Sequence, residues 1–301
     1  MTQRLNVHTP RTIDEITPEW LTSALAARGV FTDCAVRSVE IKRIGIMEGF
    51  MGILARLTPQ YVNPAGSLPV TLIAKLPDPD PVQRAAQSEA FRTEAGFYST
   101  YPADDRSIHP QTYFVAVDAD GDDHAMLIED LSSGRAASFI RHMPLDDAAT
   151  VFDVLAGLHV ERWNAPELDG LTWAADGRKR ATWSPSQEAY SAAWDGFCEK
   201  WGAFIPPEVF ETAEALTRSL ADVLTVEAGV PVTLAHSDTR PENMFFYDDD
   251  PRSPLKMIDW QRATIQPGAR DLANFVIFSL DPDDRRSAER KLLKGYLERL
   301  K

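Results

Sequence analysis

Two cysteines, Cys34 and Cys198, are all that 301 residues contain, and neither lies in a C-x-x-C pair. A disulfide scaffold and a zinc ribbon are therefore not encoded. Basic surplus is missing too: the formal net charge is −14, which excludes a coat for nucleic acid or a binder of anionic membranes. No apolar run approaches the ~20 residues that span a bilayer, and the N-terminus lacks an apolar signal core. H-E-x-x-H, G-x-S-x-G and the Walker lysine loop are all missing, as are internal repeats and low-complexity tracts. These absences lead us to expect a cytoplasmic protein, monomer or homodimer, with no nucleic-acid or membrane partner. Any phosphate it binds must be held locally, by backbone amides, a lysine or a metal.

What is present is an α+β pattern. Thr17-Pro18-Glu19 opens a helix whose apolar stripe is Trp20, Leu21, Ala24 and Leu25, closed by Gly29. Three β-rich runs follow at 36–44, 53–58 and 70–76, then a helix over 82–101 and strands at 112–117 and 125–128. From Leu145 helices dominate, over 148–163, 188–204 and 207–226. An embedded hairpin, 244–247 with 255–258, turns at Asp248-Asp249-Asp250-Pro251, and helices resume at Asp271. Strands with one main helix, then helices with a hairpin, predict two lobes, 1–129 and 130–301. The last helix is still periodic at Lys301, so we expect further chain that would extend a substrate wall.

The strongest chemical signal is His236-Ser237-Asp238-Thr239-Arg240-Pro241-Glu242-Asn243, followed by the hairpin and Ile258-Asp259-Trp260. An Asp, an Asn five residues on and a second Asp after the next apolar strand can converge on one oxygen-lined pocket suited to Mg²⁺, with the first Asp left to accept a hydroxyl proton. The plainer reading is a polar loop whose side chains satisfy turn amides. Upstream, Met47-Glu48-Gly49-Phe50-Met51-Gly52 lies between two strands, where Gly49 and Gly52 would let backbone N–H groups approach phosphates, or simply make a turn. Lys75 sits in an otherwise apolar strand. It is either on the solvent face of an edge strand or buried with a partner. At 100° per residue, Glu94 lies about 60° from Phe91 on the apolar side of its helix, whereas Glu89 lies about 160° away. Glu94 is thus the acid aimed at the sheet.

These residues, in this order, resemble the aminoglycoside phosphotransferase and choline kinase-like family of the protein-kinase-like fold. The ecdysteroid-kinase-like branch looks closest, through Glu94-Ala-Gly-Phe-Tyr98, Ile128-Glu-Asp-Leu131, Asp259-Trp-Gln261 and Gly268-Ala-Arg-Asp-Leu-Ala273. The resemblance implies a bilobal fold and an ATP- and Mg²⁺-dependent phosphotransferase acting on a hydroxyl of a small molecule, an aminoglycoside-, choline- or sterol-like alcohol, with GTP as an alternative donor. It implies Asp238 as catalytic base, Asn243 and Asp259 as metal ligands, Lys75 with Glu94 as phosphate anchor, and a hinge from Ile128 to Leu131, including Glu129, that pairs with the nucleotide base. Two positions depart from the family pattern: Ser237 replaces a usual glycine, and the Met47 to Gly52 loop is less glycine-rich.

Those departures motivate a rival, a non-catalytic nucleotide-binding scaffold. A metal-dependent hydrolase built on His236, Asp238 and Asp259 is a third reading, short of ligands. His236 and His159 read as structural histidines, and Asp271 as a helix cap that the family also uses to hold the catalytic loop. Trp163, Trp173, Trp183, Trp194 and Trp201 fall within 39 residues and mark either helix packing or an acceptor pocket. The acid surplus favours a cationic or neutral acceptor over an anionic one.

Overall fold

The computed structural model describes residues 7–27, 35–45, 52–62, 68–117, 124–138 and 140–301. Helix α1 (Pro18–Ala27) starts where Thr17 Oγ1 accepts the Trp20 N–H at 3.2 Å. Strands β1 (Ala35–Ile44), β2 (Ile53–Val62), β3 (Leu72–Leu76), β4 (Thr112–Val117) and β5 (His124–Glu129) form one antiparallel sheet in the order β1-β2-β3-β5-β4. Helix α2 (Pro81–Thr100) intervenes between β3 and β4, with Asp80 Oδ1 accepting the Val82 and Gln83 N–H groups as its cap.

The alternation of β3 sorts its side chains between two layers. Leu72, Ala74 and Leu76 are buried with Trp20, Leu21 and Leu25 of α1 in the upper core. Ile73 and Lys75 point the other way. The apolar face of α2, Phe91, Phe97 and Tyr98, belongs instead to a second core shared with Phe152, Leu155 and Trp260 below. The 20-residue helix is thus the physical link between the sheet and the rest of the chain. Gly52 precedes β2 at φ +74, where any side chain would overlap the Leu76 carbonyl oxygen. Its glycine is required by packing, whatever else the loop binds.

Beyond the sheet come β6 (Arg135–Ala136), α3 (Leu145–Glu161), β7 (Ala175–Asp176), α4 (Arg180–Trp201), α5 (Pro207–Leu224), β8 (Thr233–Ala235), β9 (Met244–Phe246), β10 (Leu255–Met257), β11 (Thr264–Gln266), α6 (Ala269–Ser279) and α7 (Pro282–Arg299). Two three-stranded ribbons, β10-β9-β6 and β7-β11-β8, frame the segments after β8 and β10. Helix α4 begins eight residues before the 188–204 pattern suggests, because Pro185 is accommodated in its first turns. Helices α4 and α5 pack on each other through Trp194, which meets Tyr190, Phe197 and Phe210. The structure is an α+β fold with a five-stranded antiparallel sheet first and a helical remainder. A division at residues 129 and 130 remains our proposal, supported by β5 ending at Glu129.

Trp173 lies across α2: its Nε1 donates to Thr100 Oγ1 at 3.0 Å and Thr93 Oγ1 donates to its carbonyl at 3.1 Å. A methyl at Gly96 would overlap the Trp173 ring, whereas one at Gly157, inside α3, meets nothing within 4 Å. Gly96→Ala should therefore cost about 1–3 kcal/mol through overpacking. Gly157→Ala should gain about 0.5–1 kcal/mol. Urea denaturation of the two variants reads these opposite signs; equal shifts would contradict the packing described.

Candidate functional site

Lys75 is on the central strand of the sheet, not on an edge, and is 7% exposed. Its Nζ lies 2.7 Å from Glu94 Oε2 and 2.7 Å from Asp259 Oδ1. The pairing with Glu94 is the one that helical geometry selects. Burial opposes the lysine charge, but Asp259 and Glu94 outweigh it and raise the ammonium pKa above that of a free lysine. Burial also raises the Glu94 carboxyl, which is fully enclosed, with the Lys75 charge working against the rise. For Asp259, 30% exposed, burial is overcome by Lys75 and the carboxyl is held below its ordinary value.

Asp259 follows β10 in a left-handed conformation, φ 65 and ψ 52. That bend sends its carboxylate up to Lys75 and buries the next residue, Trp260, which stacks on Phe97 at 3.8 Å between ring centroids. Glu94 and Phe97 are three residues apart on α2, hence on one face. The same helical face is therefore joined to Asp259-Trp260 twice, by charge through Lys75 and by ring stacking.

The segment after β8 is braced from below. Asp271 accepts the His236 N–H at 2.8 Å and the Ser237 N–H at 2.7 Å, and its Oδ2 lies 3.1 Å from His159 Nε2. Asp271 stands in the first turn of α6 but holds the loop rather than capping the helix. His159 Nδ1 meets the Tyr296 hydroxyl of α7 at 2.9 Å. His236 is buried too: its Nε2 meets the Ile258 carbonyl at 2.9 Å and its Nδ1 accepts the Asp238 N–H at 3.2 Å. Both contacts suit the neutral Nε2–H tautomer, and burial lowers the ring's pKa. Ser237 has φ 67, the left-handed region where glycine fits without strain, so the serine stores roughly 1 kcal/mol. Its hydroxyl accepts from Gln266 Nε2 at 2.7 Å.

Asp238 and Asn243 are both buried. Asn243 Nδ2 donates to the Asp238 carbonyl at 2.9 Å and to its Oδ2 at 3.2 Å. Arg240 presses on the same carboxylate: its Nε is 2.9 Å from Oδ1, and its second terminal nitrogen donates to Oδ2 at 3.2 Å. Nothing in the octapeptide marks Arg240, because only the turn of the loop folds its guanidinium back onto Asp238. Tyr98, which closes the Glu94 to Tyr98 motif, lies beside Glu94 instead; burial, then Glu94, pushes its hydroxyl well above an ordinary phenol.

The structure thus brings Lys75, Glu94 and Asp259 together, and separately Asp238, Asn243 and Arg240 on the adjoining loop. Glu129 ends β5; its Oε2 accepts from Lys256 Nζ at 2.6 Å and from the Gln111 N–H at 3.0 Å. The Leu131 carbonyl accepts the Gly134 N–H at 2.9 Å. Gly49 lies outside the described residues, and Gly52 is placed as given above. Among the described residues no three His, Cys, Asp or Glu side chains group to hold a metal. Of the tryptophans, Trp173 crosses α2, Trp183 donates to the Gly177 carbonyl, and Trp194 packs between α4 and α5.

Comparison with known proteins agrees with the resemblance read from the motifs. The model of the Ecdysteroid kinase-like family matches residues 179–301. Choline kinase from Cryptosporidium parvum Iowa II superposes with a TM-score of 0.52 at 14% identity, covering 87% of this chain and 73% of its own. The kanamycin and GDP complex of an aminoglycoside 2″-phosphotransferase superposes with a TM-score of 0.53 at 14% identity, over 90% and 83% of the two chains. A GDP complex of wild-type aminoglycoside 2'-phosphotransferase-IIIa gives 0.51 at 13% identity, over 90% and 93%. The chain therefore has the fold of these small-molecule kinases. No curated protein matches it in sequence, and no helix among the described residues is long and apolar enough to cross a membrane.

Asp271 supplies a test of the brace. Burial works to raise its carboxyl, but the contact with His159, ahead of the other neighbours, holds it below its ordinary value. As pH falls the unfolded chain takes up this proton first. The stabilisation is complete above about pH 4 and is lost as pH drops through the lower, folded value. Asp271→Asn should cost about 2–3 kcal/mol at neutral pH by mismatching buried donors, with the gap to wild type narrowing towards pH 3. Equilibrium unfolding at both pH values measures it, and a constant gap would contradict the assignment.

Proposed function

We propose that the protein is an ATP- and Mg²⁺-dependent phosphotransferase that phosphorylates a hydroxyl of a small molecule. The observation that carries the reading is the Lys75 ammonium held at 2.7 Å by both Glu94 and Asp259, with the Asp238–Asn243 loop beside it. A lysine so placed is a fixed charge for nucleotide phosphates, and Glu94 keeps it in place when Asp259 turns to other work. The fold likeness to nucleotide-complexed kinases supports the same donor class, with GTP as the alternative.

The residues present fit a magnesium ion. Asp259 and Asn243 offer hard oxygens, and Mg²⁺ takes only one or two protein ligands when phosphates and water complete its shell. Bound there, the metal would neutralise phosphate charge. Asp238, as base, would align the acceptor hydroxyl and take its proton as the acceptor oxygen bonds to the γ-phosphorus and the bond to the β-phosphate oxygen breaks. Glu129 to Leu131 would offer the backbone that pairs with the nucleotide base, and Gly49 and Gly52 would border the phosphates. The acceptor class we favour is a cationic or neutral alcohol, supported by the net charge of −14.

The scaffold reading has one observation on its side, the guanidinium already seated on Asp238. Both readings predict nucleotide binding, so transfer decides. With labelled ATP, Mg²⁺ and a panel of amino alcohols, aminoglycosides and hydroxylated lipids, Asp238→Asn should lower transfer by about 10²–10⁴-fold while calorimetry shows that the variant still binds nucleotide. Transfer undiminished in this variant would remove Asp238 from the mechanism, and no transfer by the wild type across the panel would favour the scaffold.

A further inference from the structure

Resting on the phosphotransferase reading, we infer that Arg270 selects the acceptor. The acceptor it suits is a small alcohol bearing one carboxylate, which the guanidinium holds while the hydroxyl lies at Asp238.

The observation is a charge without a partner. Two arginines shortly before Trp183 are paired with acids, Arg178 with Asp169 and Asp176, and Arg180 with Asp222. Arg270 is half-buried and pairs with no carboxylate among the described residues, in a chain where 45 acids outnumber 31 bases. It also stands in the first turn of α6, the helix end that disfavours a cation. Burial lowers the guanidinium pKa further, and no acid opposes that. Its neighbours are dipoles instead. One terminal nitrogen donates to Gln266 Oε1 at 3.1 Å, the other donates to the Leu224 carbonyl, and the Trp183 ring centroid lies 5.1 Å from Cζ. These contacts use two of the five N–H groups of an arginine, so the fork is oriented while its charge is left to be met.

The mounting is fixed and leads to the reacting loop. Trp183 Nε1 donates to the Gly177 carbonyl at 3.1 Å, which sets the ring against the guanidinium. Gln266 is buried in β11, and its Nε2 donates to Ser237 Oγ at 2.7 Å, which turns its Oε1 towards Arg270. The serine in place of the family's usual glycine therefore completes a chain of two side-chain hydrogen bonds from Arg270 to the residue before Asp238. Lys75, Asn243 and Asp259 mark the nucleotide side of that loop. Arg270 takes its partners from α4, the end of α5 and β11, and so borders the other flank, from which an acceptor in line with the γ-phosphate approaches. A planar fork matches the two oxygens of a carboxylate, and one guanidinium balances one such group. The net charge of −14 still disfavours a polyanion. An acceptor that is neutral overall, with an amine beside its carboxylate, meets both conditions.

The test uses alcohols matched except for the carboxylate: homoserine against 3-aminopropanol, glycerate against ethylene glycol, and 4-hydroxymethylbenzoate against benzyl alcohol. Calorimetry in Mg²⁺ and AMP-PNP should show the carboxylate member of at least one pair bound about 10–100-fold more tightly. Arg270→Gln should abolish that preference and Arg270→Lys should keep part of it. Ser237→Gly, which frees the Gln266 amide, should weaken it several-fold, an effect that a purely structural arginine would not show. AMP-PNP affinity in the same titrations reports that each variant is folded. No preference in any pair, or a preference that survives Arg270→Gln, would overturn the assignment, and transfer of phosphate to the neutral members would then leave the phosphotransferase reading standing. A carboxylate preference lost in Arg270→Gln, with no transfer to any acceptor, would keep the site and count against that reading.

Discussion

One desolvated ammonium organises the molecule. Lys75 has left water on the middle strand of a sheet, and its charge is tolerable only because two carboxylates from distant parts of the chain meet it. Each of those carboxylates fixes an element. Glu94 sets the rotation of α2 against the sheet, and Asp259 ties the strand pair of the helical part to the same point. The stacking of Phe97 on Trp260 is the apolar copy of this tie, one turn further along α2. Charge and packing agree on a single relative placement of sheet, helix and loop, which is the consistency expected of a sequence that specifies one structure.

The polar loop is built on the opposite principle, with backbone conformations that side chains disfavour. Ser237 and Asp259 both lie at positive φ, and both flank the proposed reacting centre. Such residues persist when their surroundings over-determine them. Asp271 holds the N–H on either side of the His236–Ser237 peptide, and Lys75 holds the Asp259 carboxylate. Replacing the usual glycine by Ser237 is thereby compatible with the turn, and adds a hydroxyl link to Gln266 that a glycine could not make. Both ends of the loop are anchored, and the Arg240 side chain in its middle lies against Asp238.

How much of this could be read from the chain depends on the range of the signal. Periodicity located β1 to β5 and α2, and the 100° helical step separated Glu94 from Glu89, because both patterns are written in a few consecutive residues. Strands β7, β8 and β11 are two or three residues long, too short to show alternation, so the ribbon they form was invisible, whereas the β9–β10 hairpin was legible. The octapeptide and Asp259 stood out by spacing. Arg240 did not, since its contact with Asp238 arises from where the loop's backbone turns. The tryptophans stayed ambiguous between helix packing and a pocket, because Trp183, Trp194 and Trp201 share α4 while Trp173 lies across α2.

The brace beneath the loop reaches further than the loop itself. From Asp271 it passes through His159 to the hydroxyl of Tyr296, and burial pushes that hydroxyl up to about 12, so it remains a protonated donor throughout the working range of any enzyme. The geometry of the proposed reacting centre is thus completed by a helix, α7, that supplies none of its proposed reacting groups. The loop stays unbraced until α7 has docked on α3, so loosening that helix pair would reach the reacting centre without touching it.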